Sequence, residues 1–308
     1  MKVAVVAHAD KTLGGGLPEL RRVLEAAGEQ PLWYEVPKAK KAPEQVERAL
    51  DEGAELVFAW GGDGTVRRCI DVLSGTEASL AVLPAGTANL FATNLGIPRD
   101  IEQAVAIGLR GDRRKLDVGR FGKERFAVMA GAGFDAAMIR DADDLKQRIG
   151  RAAYLWSGAR NLRGDGFGAE SEVDGSDWYE GRVTCILLGN LGDVFGGVEI
   201  FPDARPDDGR LELGVVSAEG LFEWTRTLAR TAVGDPNRSP FVRTTKAKSV
   251  KVELDRKVRY ELDGGDRSKV RSFDVKVEAG ALNVCVPRRN PESINDAELR
   301  ISLARRSS

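Results

Sequence analysis

Gly61-Gly62-Asp63-Gly64-Thr65 places three glycines, a carboxylate and a hydroxyl in five consecutive residues. The unbroken apolar run ending at Trp60 precedes it, and Val66, Cys69/Ile70 and Leu73 follow with helical spacing. A strand, a glycine turn and a helix in that order aim free backbone N–H groups and a positive helix end at one point, which suits a phosphate. Gly61, Gly62, Gly64 and Thr65 are the candidate contacts, the Thr65 hydroxyl either capping the helix or reaching the phosphate. Asp63 would repel phosphate, so it more naturally holds a cation or a water chain beside it.

Residues 79–98 repeat this architecture. Leu80–Leu83 reads as a strand, Pro84-Ala85-Gly86-Thr87 as a turn and Ala88–Leu95 as a helix closed by Gly96 and Pro98. Two such loops roughly 20 residues apart emerge at the same carboxyl edge of a parallel sheet, where α/β folds bind ligands. Gly86, Thr87 and Asn89 are therefore a second set of candidate contacts. Asp263 ends a predicted strand and precedes Gly264-Gly265; taken locally it reads as a hairpin turn. Asp207-Asp208-Gly209 reads as a β-turn, and Asp135 as a turn residue or a group facing a cleft.

The elements that must position these residues change character along the chain. Strands at Val3–Ala7, Leu32–Val36 and Glu55–Trp60 alternate with helices at Pro18–Ala27 and Pro43–Glu52, and Asp100 with Gln103 caps a helix over Ile101–Leu109. This alternation predicts an α/β domain over residues 1–114, a parallel sheet with helices on both faces. Beyond Arg113, strands dominate. They are expected at Lys115–Phe121 and Arg125–Ala130 as a hairpin, then at Glu170–Val173, Arg182–Gly189, Leu211–Val216, Val250–Leu254, Val258–Leu262, Phe273–Val277 and Leu282–Val286. Helices near Met138–Arg148, Ala152–Leu162 and Leu221–Val233 interrupt them, so residues 115–287 predict an antiparallel β-sandwich domain.

Composition narrows the chemistry. A formal net charge of −1 argues against a nucleic-acid partner. Cys69, Cys185 and Cys285 lie far apart, which gives no zinc spacing and fits a reducing cytoplasm. The single histidine, His8, leaves neither a histidine metal cluster nor a Ser-His-Asp triad. No apolar stretch approaches the roughly 18 residues of a membrane span, and the Met1-Lys2-Val3 start lacks a signal peptide's apolar region. Basic residues near aromatics, Lys146–Arg163 around Tyr154 and Trp156 and Arg238–Lys251 around Phe241, read as solvated faces or as docking points for an anionic leaflet.

The two glycine loops together resemble the catalytic domain of the diacylglycerol kinase and lipid kinase family, whose signatures are Gly-Gly-Asp-Gly-Thr and Pro-x-Gly-Thr-x-Asn. The resemblance continues in order through Gly131-Ala132-Gly133-Phe134-Asp135, Lys146–Tyr154, Asn190–Leu211, Leu262-Asp263-Gly264 and Gly280–Pro287. It implies two domains with the active site between them and a tail, 288–308, that returns to the first. It implies transfer of phosphate from ATP, with Mg²⁺, to the hydroxyl of a membrane lipid, diacylglycerol being the expected acceptor. Such transfer needs amide donors, a cation and a base. The resemblance assigns Asp263 as that base and Asp63 to Mg²⁺ or its water shell. Gly86 and Thr87 act on phosphate, and Asn89 on ribose or phosphate. It also places a structural Mg²⁺ on Asp208 and the carbonyls near Arg205 and Arg210. A cytoplasmic enzyme docking peripherally on the membrane, and a homodimer, are the implied setting. The chain departs from the pattern at His8-Ala9, Arg67-Arg68, Leu90 and Gly265, the last two costing a carboxylate each. Those losses keep open a nucleotide- or lipid-binding sensor without turnover. Other lipid acceptors, such as a sphingoid base, are open as well. NAD kinase, which shares the first motif, should also carry an Asn-Glu pair about 50–80 residues downstream, and none follows here.

Overall fold

The computed structural model describes residues 1–133, 166–194, 198–217 and 241–288. The first unit runs β1 (Val3–His8), α1 (Gly16–Ala26), β2 (Leu32–Val36), α2 (Ala42–Asp51), β3 (Leu56–Gly61), α3 (Asp63–Leu73), β4 (Ser79–Pro84), α4 (Leu90–Asn94) and α5 (Ile101–Arg110). Its strands pair in parallel in the order β2-β1-β3-β4. Every residue of β3 and β4 is buried. Two helix pairs, α1 with α5 and α2 with α3, cover the sheet. This explains why these strands read as continuous apolar runs. Leu20 and Leu24, four apart on α1, and Val46 and Ala49 on α2 supply the buried helix faces.

The second unit is an antiparallel β-sandwich. Its strands are β5 (Asp112–Phe121), β6 (Glu124–Phe126), β7 (Met129–Ala132), β8 (Phe167–Val173), β9 (Ser176–Val183), β10 (Cys185–Gly189), β11 (Asp193–Val194), β12 (Val198–Glu199), β13 (Leu211–Val216), β14 (Val242–Ala247), β15 (Ser249–Leu262) and β16 (Gly265–Val286). The units are joined through hydrogen-bonded strands in the order β2-β1-β3-β4-β16-β15-β7-β10-β13-β14. The 22-residue β16 is the splice. Its start pairs with β15, whereas Asn283 and Val284 pair in parallel with β4 and sit by the first core.

Several boundaries differ from the sequence expectation, each for a local reason. The strand expected at Arg125–Ala130 breaks at Ala127 and Val128, whose amides turn to a side chain described below. The strand expected at Arg182–Gly189 divides at Thr184, whose N–H and hydroxyl both donate to the Val216 carbonyl. The helix expected from Ala88 starts only at Leu90, because Asn89 adopts φ 51°. Strands expected as separate pieces, 250–254 with 258–262 and 273–277 with 282–286, are single strands with register shifts. Val242–Ala247 and most of β9 had no counterpart in the expectation. The helices expected near 138–148, 152–162 and 221–233, Asp135, the 146–154 motif and the tail beyond Arg288 lie outside the described residues.

The shift on β16 between Glu278 and Leu282 is held by Asp117, which is 2% exposed. Its carboxylate accepts the N–H groups of Gly280 at 2.7 Å and Gly209 at 2.6 Å, and its own N–H donates to the Pro206 carbonyl. One buried carboxylate thus fixes the splice strand and the 206–209 loop together. Asp117→Ala orphans two amides, each worth about 1–3 kcal/mol when buried unpaired, so chemical denaturation of this variant should show a loss in that range or above.

Candidate active site

The two glycine loops lie side by side. Gly61 pairs with Pro84 at the carboxyl ends of β3 and β4, and the Ala85 amide donates to the Gly61 carbonyl at 3.0 Å. The approach is close enough that a Cβ on Gly86 would sit 2.4 Å from the Gly62 Cα. Gly62 stands at the N-cap of α3, and among the first-turn amides that of Gly64 has no partner within the helix end, which leaves it suited to an anion. A Cβ on Gly64 would meet nothing within 4 Å.

Other predicted contacts are turned inward. Thr65 is 2% exposed, its N–H donates to the Gly62 carbonyl, and its side chain packs where a Gly61 Cβ would stand. Neither capping nor a surface-facing hydroxyl describes it. Asn89 is also buried: its Oδ1 accepts the Gly86 N–H and its Nδ2 donates to the Gly86 carbonyl, both at 2.8 Å. This reciprocal pair closes the second loop and accounts for the left-handed backbone at Asn89. Thr87 is exposed beside it, its carbonyl 3.5 Å from Arg99 Nη1.

Asp63 ties one loop to the other. Burial pushes its carboxyl above the usual range, opposed by hydrogen bonds from the backbone amides of Phe91, Leu90 and Asn89. The carboxylate therefore lies at the start of α4, a favourable place for negative charge.

Asp263 is the second carboxylate. It and Gly264 have φ of 46° and 75° between the paired residues Leu262 and Gly265, the positive pattern of a two-residue hairpin turn. The side chain is 6% exposed. Its Oδ1 accepts the N–H of Val128 at 2.9 Å and of Met129 at 3.0 Å, and its Oδ2 accepts that of Ala127 at 2.9 Å. Its own N–H donates to the Met129 carbonyl. Burial raises the carboxyl to about 6 despite these amides and the nearby Arg67 charge. A carboxylate offers about four acceptor positions, so the three amides leave one on Oδ2 without a protein donor.

Arg67, visible in the sequence only as a departure from the family pattern, bears on Asp263. It lies four residues after Asp63 on α3, hence on the same face, and acts electrostatically on Asp263. Only 2% exposed, it pairs with Asp71 and Glu124 at 3.0 Å each and donates to the Arg125 carbonyl. Arg267 holds Glu124 from the other side in a forked contact at 2.9–3.1 Å. These cations keep the Glu124 carboxyl below its usual range against the opposing effect of burial. The i, i+4 spacing of Arg67 and Asp71 was a readable signal; Glu124 and Arg267 were not, since only the fold brings them there. Arg267 also stands 2.9 Å from where a Gly265 Cβ would be, and Leu90 is buried in the first core. Of the two positions that lack the family's carboxylates, Leu90 is taken by the core, and Gly265 lies beside the end of the Arg267 side chain.

The carboxylate of Asp208 is occupied by protein donors, its Oδ1 by the Arg210 N–H at 3.0 Å and its Oδ2 by Lys246 Nζ at 2.9 Å. Arg205 and Arg210 are exposed beside it. Among the described residues no group of three or more His, Cys, Asp or Glu is arranged to hold a metal. No helix among them is long and apolar enough to cross a membrane.

Comparison with known proteins settles the family. Residues 8–121 match the diacylglycerol kinase catalytic domain, and residues 128–286 match the YegS C-terminal NAD kinase beta sandwich-like domain. The chain belongs to the diacylglycerol kinase-like lipid kinase family. A protein of Pseudomonas syringae pv. tomato named "Probable lipid kinase YegS-like" is 32% identical over 264 residues, covering 82% of this chain and 83% of its own. A diacylglycerol kinase of Staphylococcus carnosus is 30% identical over 252 residues, covering 80% and 82%. In fold, the chain is similar to a diacylglycerol kinase structure from Bacillus anthracis, with TM-score 0.75 at 23% identity over 95% of this chain and 98% of that one. An NAD kinase from Archaeoglobus fulgidus in complex with ATP follows at TM-score 0.52 and 11% identity, over 92% and 93%.

The closeness of the loops gives a direct test. Gly86→Ala drives a methyl into the Gly62 Cα and Asn89 Oδ1, so thermal or chemical unfolding should show a loss of about 1–3 kcal/mol, the usual cost of overpacking.

Proposed function

We propose that this chain is an ATP- and Mg²⁺-dependent kinase that phosphorylates the hydroxyl of a membrane lipid, with diacylglycerol as the principal acceptor. The observation that carries this reading is Asp263, a buried carboxylate clamped by three amides at the junction of the two units. Its carboxyl, raised to about 6, sits near the range where a general base works at neutral pH.

The residues present fit ATP at the glycine loops. Gly62, Gly64 and the start of α3 would receive phosphate, with Gly86 and Thr87 on the second loop. Asn89 acts by shaping that loop rather than by touching nucleotide. Asp63 already accepts amides from α4, which fits a role through the water shell of Mg²⁺ better than direct ligation. When bound, Mg²⁺ neutralises charge developing on the transferring phosphoryl group. Asp263 Oδ2 receives the hydroxyl proton of the acceptor, the three amides keep that carboxylate oriented, and the Arg67 charge favours its ionised form.

Family membership and the lack of an Asn-Glu pair downstream of the first motif support this reading over NAD kinase, whose likeness here is one of fold. A cytoplasmic protein that reaches lipid from the water side is the setting it requires. The experiment is transfer from labelled ATP to a lipid panel in mixed micelles, for wild type and Asp263→Asn. Transfer to diacylglycerol should appear and fall by about 10²–10⁴-fold in the variant, the usual contribution of a general base. Transfer to a different lipid replaces the acceptor and keeps the mechanism. Tight ATP binding with no transfer to any lipid would overturn the kinase reading in favour of a sensor, in line with the missing carboxylates at Leu90 and Gly265.

A further inference from the structure

The family resemblance implies a divalent cation at Asp208 and the carbonyls near Arg205 and Arg210, and the residues present do not fit one. Lys246 occupies the position instead. Its ammonium donates to Asp208 Oδ2 at 2.9 Å and to the Asp203 carbonyl at 3.1 Å, and lies 3.2 Å from Glu212 Oε1. Two of its three N–H donors are taken by hydrogen bonds to Asp208 and Asp203, and the buried Glu212 Oε1, which has no hydrogen-bond partner among the described residues, adds an ion pair.

Strand register delivers this lysine. β13 and β14 are antiparallel with Glu212 directly opposite Lys246, a cross-strand pair of opposite charge. The other oxygens come from the loop that leads into β13, which Asp117 holds from behind through Gly209 and Pro206. The remaining oxygen of Asp208 is taken by the Arg210 N–H, so its carboxylate has a protein donor on each side. A divalent ion would have to displace the ammonium from Asp208 and then sit beside it, with like charges in contact.

We propose that Lys246 is a built-in cation that replaces the divalent ion at this loop, so that residues 203–210 are ordered without metal. Sequence spacing could not show this. Asp208 and Lys246 are 38 residues apart and meet only through the β13–β14 pairing. The inference does not depend on which hydroxyl the protein phosphorylates, or on whether it phosphorylates one at all.

The test uses the full chain without nucleotide, with Mg²⁺ as the only probe. Thermal unfolding and titration calorimetry are run in EDTA and in millimolar Mg²⁺ for wild type, Lys246→Met, Lys246→Arg and Asp208→Asn. Wild type and Lys246→Arg should melt at the same temperature in both conditions and take up no Mg²⁺ at this loop. Lys246→Met should melt several degrees lower in EDTA and recover part of the loss in Mg²⁺, because Asp208 and Glu212 then lack a counter-charge. Stoichiometric Mg²⁺ uptake by wild type that Asp208→Asn abolishes would overturn the proposal. So would Lys246→Met melting like wild type with no gain from Mg²⁺. If Lys246→Met does not fold, the wild-type and Asp208→Asn titrations decide alone.

Discussion

The clamp of three backbone amides on the Asp263 carboxylate organises the molecule around it. Ala127 and Val128 leave the strand ladder to make it, and they pack in the first core, while Ala130 packs in the second. Asp263 itself lies at the tip of the β15–β16 hairpin, whose second strand runs back to β4. The clamp therefore fixes where one unit ends and the other begins. Three otherwise orphaned amides are satisfied at the cost of burying a charge, and the raised carboxyl records that cost. With the folded value about 6 and an ordinary carboxyl near 4, this group favours the folded state in acid and less so as pH rises through about 6.

Around the clamp, charge is arranged in layers. Arg67 reaches from α3 to Glu124 on the sandwich, and Arg267 also closes on Glu124. Arg67 is buried while its partners are partly exposed, so removing a partner leaves a buried charge less compensated. Asp117 does the equivalent work at the other face of the splice strand, and Lys246 at the loop above it. Three sites of this molecule are thus held by ionised side chains reaching across chain segments far apart in sequence.

That distance explains what could be read in advance. The strands of the first unit, its helices and the adjacency of the two glycine loops follow from local periodicity and parallel topology, and Gly61–Pro84 pairing bears this out. Asp263 was legible as a turn residue and, through the resemblance, as a base; the structure makes it a hairpin turn with a buried carboxylate. Thr65 and Asn89 could be placed in their loops but their burial could not be read, because their inward turn depends on Gly61 and Gly86 having no side chain. Glu124, Arg267, Asp117 and Lys246 were invisible, since each acquires its partner only through strand register. Long strands with mid-strand register shifts were read as pieces for the same reason: a shift held by a distant carboxylate looks like a strand end.

The claim on which the account turns is that Asp263 works in its ionised form from within this clamp. The pH dependence of kcat/KM for phosphate transfer, at saturating Mg²⁺·ATP, tests it most directly. The account predicts a rate that falls as pH drops through about 6, following the buried carboxyl, with the chain still folded by circular dichroism across that range. A profile flat through this window while transfer persists would contradict it and move the base to another residue.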